Sequence, residues 1–199
     1  RQVFSQLNIA KSTTASAVTR NDKIPFAYNY VDKNTKITHM DDEQGEHGSH
    51  VAGIAAANKY VPQTDGDENT YVSALDTVKT QGVAPEAQLL VMKVFGSNGG
   101  AFDSDYMAAI EDAIVLGADS INLSLGSSYP GPSKYTAYMD ADTDPVPVYQ
   151  AILDSLASKD AVVSISAGNS GNWAENAYAG SNGLSLIHIS EPTRPLYIS

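Results

Sequence analysis

The chain has 199 residues, no cysteine and a formal net charge of -11, from 23 acidic and 12 basic side chains. This length allows one domain with a sizeable core, and a composition of 42% hydrophobic and 8% aromatic residues is typical of an α/β protein. The acidic balance argues against a nucleic-acid partner, because phosphates attract basic surfaces. The lack of cysteine excludes disulfides and thiolate chemistry, and no apolar run is long enough to predict a membrane span.

The first 46 residues contain one predicted strand and little chemistry. Residues 1–23 favour a short helix from their apolar spacing, and STTAS, residues 12–16, favours a loop. Residues 24–31, IPFAYNYV, alternate in a way that predicts a strand. Acidic side chains then gather before the next segment, and we interpret them as stabilising the positive amino terminus of a helix. They are Asp41, Asp42, Glu43 and Glu46.

The segment HGSHVAGIAAAN, His47 to Asn58, is the centre of the functional prediction. From Val51 to Ala57 every residue is small or aliphatic, which predicts a helix buried on every side and packed close to its neighbours. His47, in the first turn, is a candidate general base. Two alternatives stay open from these residues alone. One is a core helix with hydrogen-bonded histidines, and the other is a metal site, since His47 and His50 share a helical face. Further ligands are missing, so we assign no metal ligand.

An acidic insertion and a second predicted strand follow. Residues 59–81 are polar, and their DGDE cluster, residues 65–68, is interpreted as a solvated turn because its spacing does not match an EF-hand. Residues 88–95, QLLVMKVF, predict a strand buried on both faces in a parallel sheet. GSNGG, residues 96–100, ends that strand and lacks the pattern and lysine of a nucleotide-binding loop.

Two helices and two more strands complete the predicted fold. A helix runs from Asp103, which with Ser104 is a candidate cap, to Gly117, and the strand SINLSLG, residues 120–126, follows. A second helix is predicted at about residues 148–158, before the strand AVVSIS, residues 161–166. This order predicts right-handed βαβ crossovers. The fold class is therefore α/β, with a doubly wound, mainly parallel sheet and helices on both faces.

The carboxyl ends of these strands gather small and polar residues. Sites in doubly wound sheets lie at that edge, outside the carboxyl ends of the strands. Gly99, Ser124 to Gly126 and Asn169 all follow predicted strands. We therefore expect the functional site at this edge of the sheet.

Four motifs, in this order along the chain, resemble the subtilisin-like serine peptidases, or subtilases. They are HGSHVAGI at 47–54, GVAPEAQLLVMKVF at 82–95, INLSLG at 121–126 and SAGNSG at 166–171. Two phrases, QGVAPEAQLLVMKVF and VVSISAGNSG, are most similar to the large cell-envelope proteinases of Gram-positive bacteria, the lactocepin-like group. The resemblance covers residues 24–182. It implies a subtilisin-like fold, a polypeptide substrate and an extracellular location, secreted or cell-wall associated.

The resemblance also implies roles for individual residues. His47 matches the general base of the family, and His50 becomes a buried, hydrogen-bonded structural residue. Asn169 matches the oxyanion-hole asparagine, whose neutral amide donates to a developing negative charge. An extended peptide would lie between two edges as an added strand. The first edge is Gly99, Gly100 and Ala101, the second is Ser124, Leu125 and Gly126, and the primary specificity pocket is Ser166, Ala167 and Gly168.

Two members of the catalytic triad have no match. The aspartate of subtilases occurs in a D-S-G or D-T-G-like turn, which Asp22 and Asp32 lack. The G-T-S-M-like turn of the nucleophile has no counterpart either. We therefore expect residues 1–182 to be a partial peptidase domain, inactive by itself, with the missing Asp and Ser elsewhere in a longer enzyme. Residues 183–199 resemble translated sequencing adapter and are predicted to be a non-native tail, with a divergent native segment as the alternative.

The alternative function is a non-catalytic, subtilase-like binding domain. The complete coding sequence discriminates the two, because the enzyme requires an Asp before residue 1 and a Ser turn after about residue 182. We predict no obligatory cofactor for this chain, while calcium stays open for the longer enzyme. The oligomeric state is not predicted.

Overall fold

The computed structural model describes residues 3–38, 40, 45–62, 70–125, 155 and 158–166. The chain divides into two compact units, Arg1–Leu116 and Gly117–Ser199. Each unit contains a parallel pair of strands. Parallel pairs need long crossover connections, which are usually helical, and this agrees with the predicted α/β class.

Short helical turns open the first unit. Two 3₁₀ turns, Phe4–Gln6 and Asn8–Lys11, precede helix α1, Ala15–Val18. The prediction that STTAS forms a loop is wrong from residue 15 onward. The helix begins here because it is capped: Thr14 Oγ1 accepts a hydrogen bond from the backbone N of Ala17 at 3.4 Å. This bond helps to satisfy an amide of the first helical turn.

Strand β1, Phe26–Asn29, lies at the centre of this unit, and all four of its residues are buried. It pairs in parallel with β4, Leu90–Lys93, in a register that sets Phe26 opposite Leu90. Both strands were predicted, but β4 is half-buried and not buried on both faces. Alternate side chains of a strand point to opposite faces, and Leu90 and Met92 pack from one face of β4 against the core cluster. The buried members of that cluster are Leu7, Ile9, Val18, Phe26, Tyr28, Tyr30 and Ala109.

Helix α2, His47–Ala56, is confirmed as a helix, but the prediction that it is buried on every side is wrong for the described residues. Among its ten residues only Ala56 is buried. A Cβ placed on Gly48 or Gly53 would meet no heavy atom within 4 Å, so no described group packs closely at those two positions.

The close packing expected of α2 occurs at its carboxyl end. The backbone N–H groups of Gly82, Val83 and Ala84 donate to the carbonyls of residues 57, 54 and 55, each at 2.9 Å. These bonds satisfy carbonyls that a helix leaves unpaired at its end. A Cβ on Gly82 would lie 2.5 Å from Ala56 Cα, which explains why the chain has glycine at the point of closest approach.

The acidic insertion contains regular structure that its composition did not predict. Strands β2, Tyr60–Pro62, and β3, Tyr71–Ser73, form an antiparallel pair with Val61 opposite Val72. Helix α3, Ala74–Thr77, follows at once. The DGDE cluster between the two strands lies outside the described residues.

Helix α4, Asp103–Leu116, closes the first unit as predicted. Gly117 follows it with φ +80°, a left-handed conformation that glycine adopts without steric cost and that commonly ends helices. Ala109, Ile110 and Ala113 are buried, and the same face buries Asp112. This acidic residue is the one departure from the expected apolar pattern among the buried residues of α4.

The second unit contains strands β5, Ser120–Leu123, and β6, Val162–Ile165. They pair in parallel, with Ser120 opposite Val162 and Leu123 opposite Ile165, so both predicted strands are confirmed. Most of the second predicted helix, residues 148–158, lies outside the described residues. Ser155 and Ser158, which are described, have helical backbone.

Candidate active site

A polar corner forms where β1 ends. Asn29 is 1% exposed, and its Oδ1 accepts hydrogen bonds from the backbone N of Val31 at 3.1 Å and of Asp32 at 3.0 Å. Its Nδ2 donates to Asp32 Oδ2 at 2.9 Å and to the carbonyl of Lys36 at 3.2 Å. One buried amide therefore turns the chain and holds the Asp32 carboxylate at the carboxyl end of the strand.

The loop after β4 meets this corner, because parallel strands end at the same edge of their sheet. The backbone N of Ser97 donates to Asp32 Oδ2 at 2.8 Å. Within the loop, Gly96 N donates to the carbonyl of Gly100 at 2.8 Å, and Gly99 N donates to the carbonyl of Gly96 at 2.9 Å. Gly99 has φ +78°, which favours glycine at this position. The predicted substrate edge, residues 99–101, thus begins in a closed turn that is tied to Asp32.

Asp32 is charged over a wider range of pH than an ordinary carboxyl group. The hydrogen bond from the backbone N of Ser97 is the main reason that the pKa of Asp32 lies below its usual value, and the Asn29 side chain and the positive charge of Lys93 act in the same direction. A carboxylate that accepts such bonds is favoured in its charged form. The loop is therefore held by a charge-assisted hydrogen bond at neutral pH.

His47 occupies the first position of α2 and its side chain is exposed. His50 was expected to be buried, and this prediction is wrong: His50 is exposed. The cause is that described residues pack against the carboxyl end of α2, through residues 82–84, and not against its first turn.

A metal site at His47 and His50 would require further ligands. In the described ranges, no group of three or more His, Cys, Asp or Glu side chains is placed to hold a metal ion. Within the same part of the chain, no helix is long and apolar enough to cross a membrane.

The second unit joins two predicted substrate segments at one sheet edge. Ser124 and Leu125 follow β5, and Ser166 follows β6. Ser166 N donates to the carbonyl of Leu123 at 3.1 Å, and Ser166 Oγ donates to the carbonyl of Leu125 at 2.8 Å. The first residue of the predicted pocket and the predicted second edge are thus in direct contact. The other candidates of these segments, Gly126, Ala167, Gly168 and Asn169, lie outside the described residues.

Sequence reasoning missed a buried polar network in the first unit. Asp112 is 0% exposed, and it accepts hydrogen bonds from Asn8 N at 2.7 Å and from the Tyr30 hydroxyl at 2.8 Å. Burial raises the pKa of Asp112, and the bonds from Asn8 and Tyr30 oppose part of that rise. The signal in the sequence was an acidic residue, Asp112, between Ala109 and Ala113, which lie on the buried face of α4. Because buried charges in proteins are paired or hydrogen-bonded, such a position indicates a polar partner.

Comparison with known proteins identifies a family for this chain. A family model described as the Subtilase family, Peptidase S8, matches residues 8–193. The PI-type proteinase of Lactococcus lactis subsp. cremoris is 43% identical over 110 residues, which are 54% of this chain and 5% of that protein. The minor extracellular protease Vpr of Bacillus subtilis (strain 168) is 35% identical over 170 residues, 82% of this chain and 17% of that protein. A C5a peptidase of Streptococcus pyogenes is 38% identical over 109 residues, 54% of this chain and 8% of that protein.

These matches span small parts of much longer proteins: this chain covers between 5% and 17% of the length of those three relatives. The family match, in contrast, covers most of this chain, from residue 8 to residue 193. Membership of the subtilase family implies an α/β fold of the subtilisin type, and the parallel strand pairs and helices described above are in accord with it. We conclude that this chain belongs to the subtilase family.

Proposed function

We propose that this chain is an interior part of the catalytic domain of a secreted or cell-wall serine endopeptidase, which hydrolyses peptide bonds in polypeptide substrates. The observation that carries the proposal is the family match over residues 8–193. Relatives that are named as a proteinase, an extracellular protease and a peptidase support it. In this proposal the domain is a doubly wound sheet with helices on both faces, of which β1, β4, β5 and β6 are members.

His47 acts as the general base. Hydrolysis by a serine enzyme needs an imidazole that removes the proton of the nucleophile and returns it to the leaving amine. His47 follows β1 in the chain and begins α2, and in a βα unit such a position falls at the carboxyl edge of the sheet, where sites of doubly wound folds gather. The exposure of its side chain leaves room for a substrate.

Asn169 stabilises the oxyanion in the same proposal. Its carboxamide is neutral, so it can donate to the developing negative charge without titrating. Asn169 lies four residues beyond the end of β6, which again corresponds to a carboxyl strand end. In this proposal His47 transfers the proton of the nucleophile, and Asn169 donates a hydrogen bond to the carbonyl oxygen on which negative charge develops.

Two glycine-containing edges bind the substrate main chain. Residues 99–101 form the first edge and residues 124–126 the second, and the peptide lies between them as an added strand. Residues 166–168 line the pocket for the side chain that precedes the scissile bond. The hydrogen bond from Ser166 Oγ to the Leu125 carbonyl supports this assignment, because it sets the pocket and the second edge beside each other.

The nucleophilic serine and the orienting aspartate lie outside residues 1–182 in this proposal. Asp32, which lacks the family turn, uses its Oδ2 to accept from Asn29 and from Ser97. This engagement supports a structural role for Asp32. The 199-residue chain alone is accordingly expected to have no peptidase activity, and its incomplete sheet is expected to fold poorly because parallel strands without neighbours leave unpaired edges.

The test uses the full-length protein with casein as substrate and a fluorophosphonate probe for an activated serine. We expect hydrolysis, probe labelling beyond residue 182, and a loss of activity of at least about 10³-fold in His47→Ala, because the triad acts as a unit. His50→Ala, one helical turn away, is the control and should retain activity. A full-length protein that neither hydrolyses casein nor reacts with the probe would instead support the non-catalytic binding domain. Labelling of any serine in residues 1–182 would contradict the fragment assignment.

A further inference from the structure

We propose that Asp32 is a positioning residue: it fixes the loop of residues 96–101, here called the edge loop, and so determines how well the enzyme holds an extended polypeptide substrate. The inference rests on the proposed peptidase function and adds to it a residue that lies outside the triad, the oxyanion hole and the substrate edges. It concerns binding of the substrate main chain, and not the chemical step.

The Asp32 side chain links the end of β1 to the edge loop. Its Oδ2 accepts from Ser97 N at 2.8 Å and from Asn29 Nδ2 at 2.9 Å, so one oxygen joins the end of β1 to the loop after β4. Asn29 is 1% exposed and its Oδ1 accepts from Asp32 N at 3.0 Å. The carboxylate is therefore held on its backbone side by a buried amide, and its other contact is the edge loop.

The composition of the edge loop makes its position sensitive to this contact. Three of the five residues in 96–100 are glycine, and glycine has more backbone freedom to lose than any other residue. The two bonds inside the loop, from Gly96 N and from Gly99 N, fix its internal turn. The bond from Ser97 N to Asp32 Oδ2 ties this turn to the end of the neighbouring strand β1.

Close packing reinforces the bond. A Cβ on Gly96 would lie 2.9 Å from Asp32 Oδ1 and 2.8 Å from Val31 Cγ1. The loop therefore runs directly over the carboxylate, with no space for a side chain between them. A shift of the Asp32 side chain must move the backbone of the edge loop, or the reverse.

The position of the edge loop affects binding of the substrate main chain. A peptide that binds as an added strand gains affinity from hydrogen bonds to backbone groups, and those groups must already be in place. A long peptide reaches the edge loop, whereas an ester of a single amino acid occupies the primary pocket and the scissile position alone. Displacement of the loop is thus expected to weaken binding of the first substrate and to leave the second unaffected.

The experiment compares four variants of the full-length protein: Asp32→Ala, Asp32→Asn, Gly96→Ala and, as a control, Asp76→Ala. Asp76 is an exposed aspartate in α3. Steady-state kinetics are measured with a hexapeptide substrate and with an amino-acid ester, and hydrogen exchange is followed in peptides that cover residues 94–102.

For Asp32→Ala we expect KM for the hexapeptide to rise about tenfold, equivalent to one or two lost main-chain hydrogen bonds, with kcat little changed. The ester should keep its wild-type constants, and exchange should quicken in residues 94–102. Asp32→Asn, which keeps an acceptor oxygen, should largely restore KM. Gly96→Ala disturbs the same contact from the loop side and should raise KM for the hexapeptide but not for the ester. It therefore tests the inference even if Asp32→Ala does not fold.

Equal losses for the hexapeptide and the ester would overturn the inference, since they indicate general damage. Unchanged KM and unchanged exchange in Asp32→Ala and Gly96→Ala would overturn it as well. A wild-type protein that hydrolyses neither substrate would instead refute the proposed function, and with it the substrate role of Asp32. An active wild type with unselective variants refutes the inference alone.

Discussion

Replacement of Asp112 by alanine tests whether one buried carboxylate holds the amino-terminal turns against α4. Asp112 is 0% exposed and accepts from Asn8 N at 2.7 Å, from Asn8 Nδ2 at 3.1 Å and from the Tyr30 hydroxyl at 2.8 Å. Alanine removes the acceptor from all three donors. A buried donor that loses its partner costs about 1–3 kcal/mol.

The magnitude follows from the surroundings of each donor. The Tyr30 side chain is 4% exposed, so its hydroxyl bears most of the cost of a lost partner. Asn8 is exposed, and water can replace part of what it loses. We therefore expect Asp112→Ala to lower the free energy of local opening by about 2–3 kcal/mol, which corresponds to amide exchange about 30- to 150-fold faster.

The assay is hydrogen exchange by mass spectrometry on the full-length protein, read in peptides that cover residues 4–12 and 103–116. Glu111→Ala is a matched control, because Glu111 is an adjacent acid that also accepts from Asn8 Nδ2, at 2.9 Å, but is exposed. Its removal should change stability by less than about 0.5 kcal/mol. Asp112→Asn, which keeps one acceptor oxygen and the side-chain volume, should fall between the two. Equal effects of Asp112→Ala and Glu111→Ala, or no effect of the first, would refute the reasoning.

Three further predictions test other contacts of the first unit. Tyr30→Phe removes one donor from the Asp112 network, and exchange in the same peptides should quicken in proportion to a loss of about 1 kcal/mol; unchanged exchange would contradict this. Gly82→Ala places a Cβ 2.5 Å from Ala56 Cα, and a fall in thermal stability worth about 1–3 kcal/mol is expected from the overpacking. For Asp32 the lowered pKa means that its stabilising contribution is present above the ordinary value of 3.8 and is lost as pH falls through the folded-state value. Carbon-13 titration of its carboxyl should therefore give a midpoint below 3.8, and a midpoint at or above it would contradict the edge-loop contact.

Local sequence patterns predicted those elements whose own residues favour one conformation. The run from Gln88 to Phe95 predicted β4, and Gly117 predicted the end of α4, where its φ is +80°. The antiparallel pair β2 and β3 could not be predicted in this way. Its strands have only three residues each, and a pattern of period two is too short to recognise in three positions.

Burial was harder to predict than secondary structure, because it depends on residues distant in the chain. The small side chains of α2 indicated contact on all sides, yet the described close approach comes from Gly82 at its carboxyl end. Asp112 was overlooked because its partners, Asn8 and Tyr30, lie 104 and 82 residues away in sequence. The motifs predicted the candidate site residues directly, but they could not reveal the side chains that hold these residues in place.

Those supporting side chains follow one physical arrangement in both units. In the first, the Asp32 carboxylate beyond β1 accepts from the backbone of Ser97 beyond β4. In the second, the Ser166 hydroxyl beyond β6 donates to the backbone of Leu125 beyond β5. In each case a polar side chain after one strand binds the main chain after its parallel neighbour. In the proposed enzyme these edges bind a peptide main chain, so bulky side chains on them would obstruct the substrate. Hydrogen bonds from the adjacent strand end help to fix these edges, and under the proposed function substitution of either side chain should change substrate binding before it changes stability.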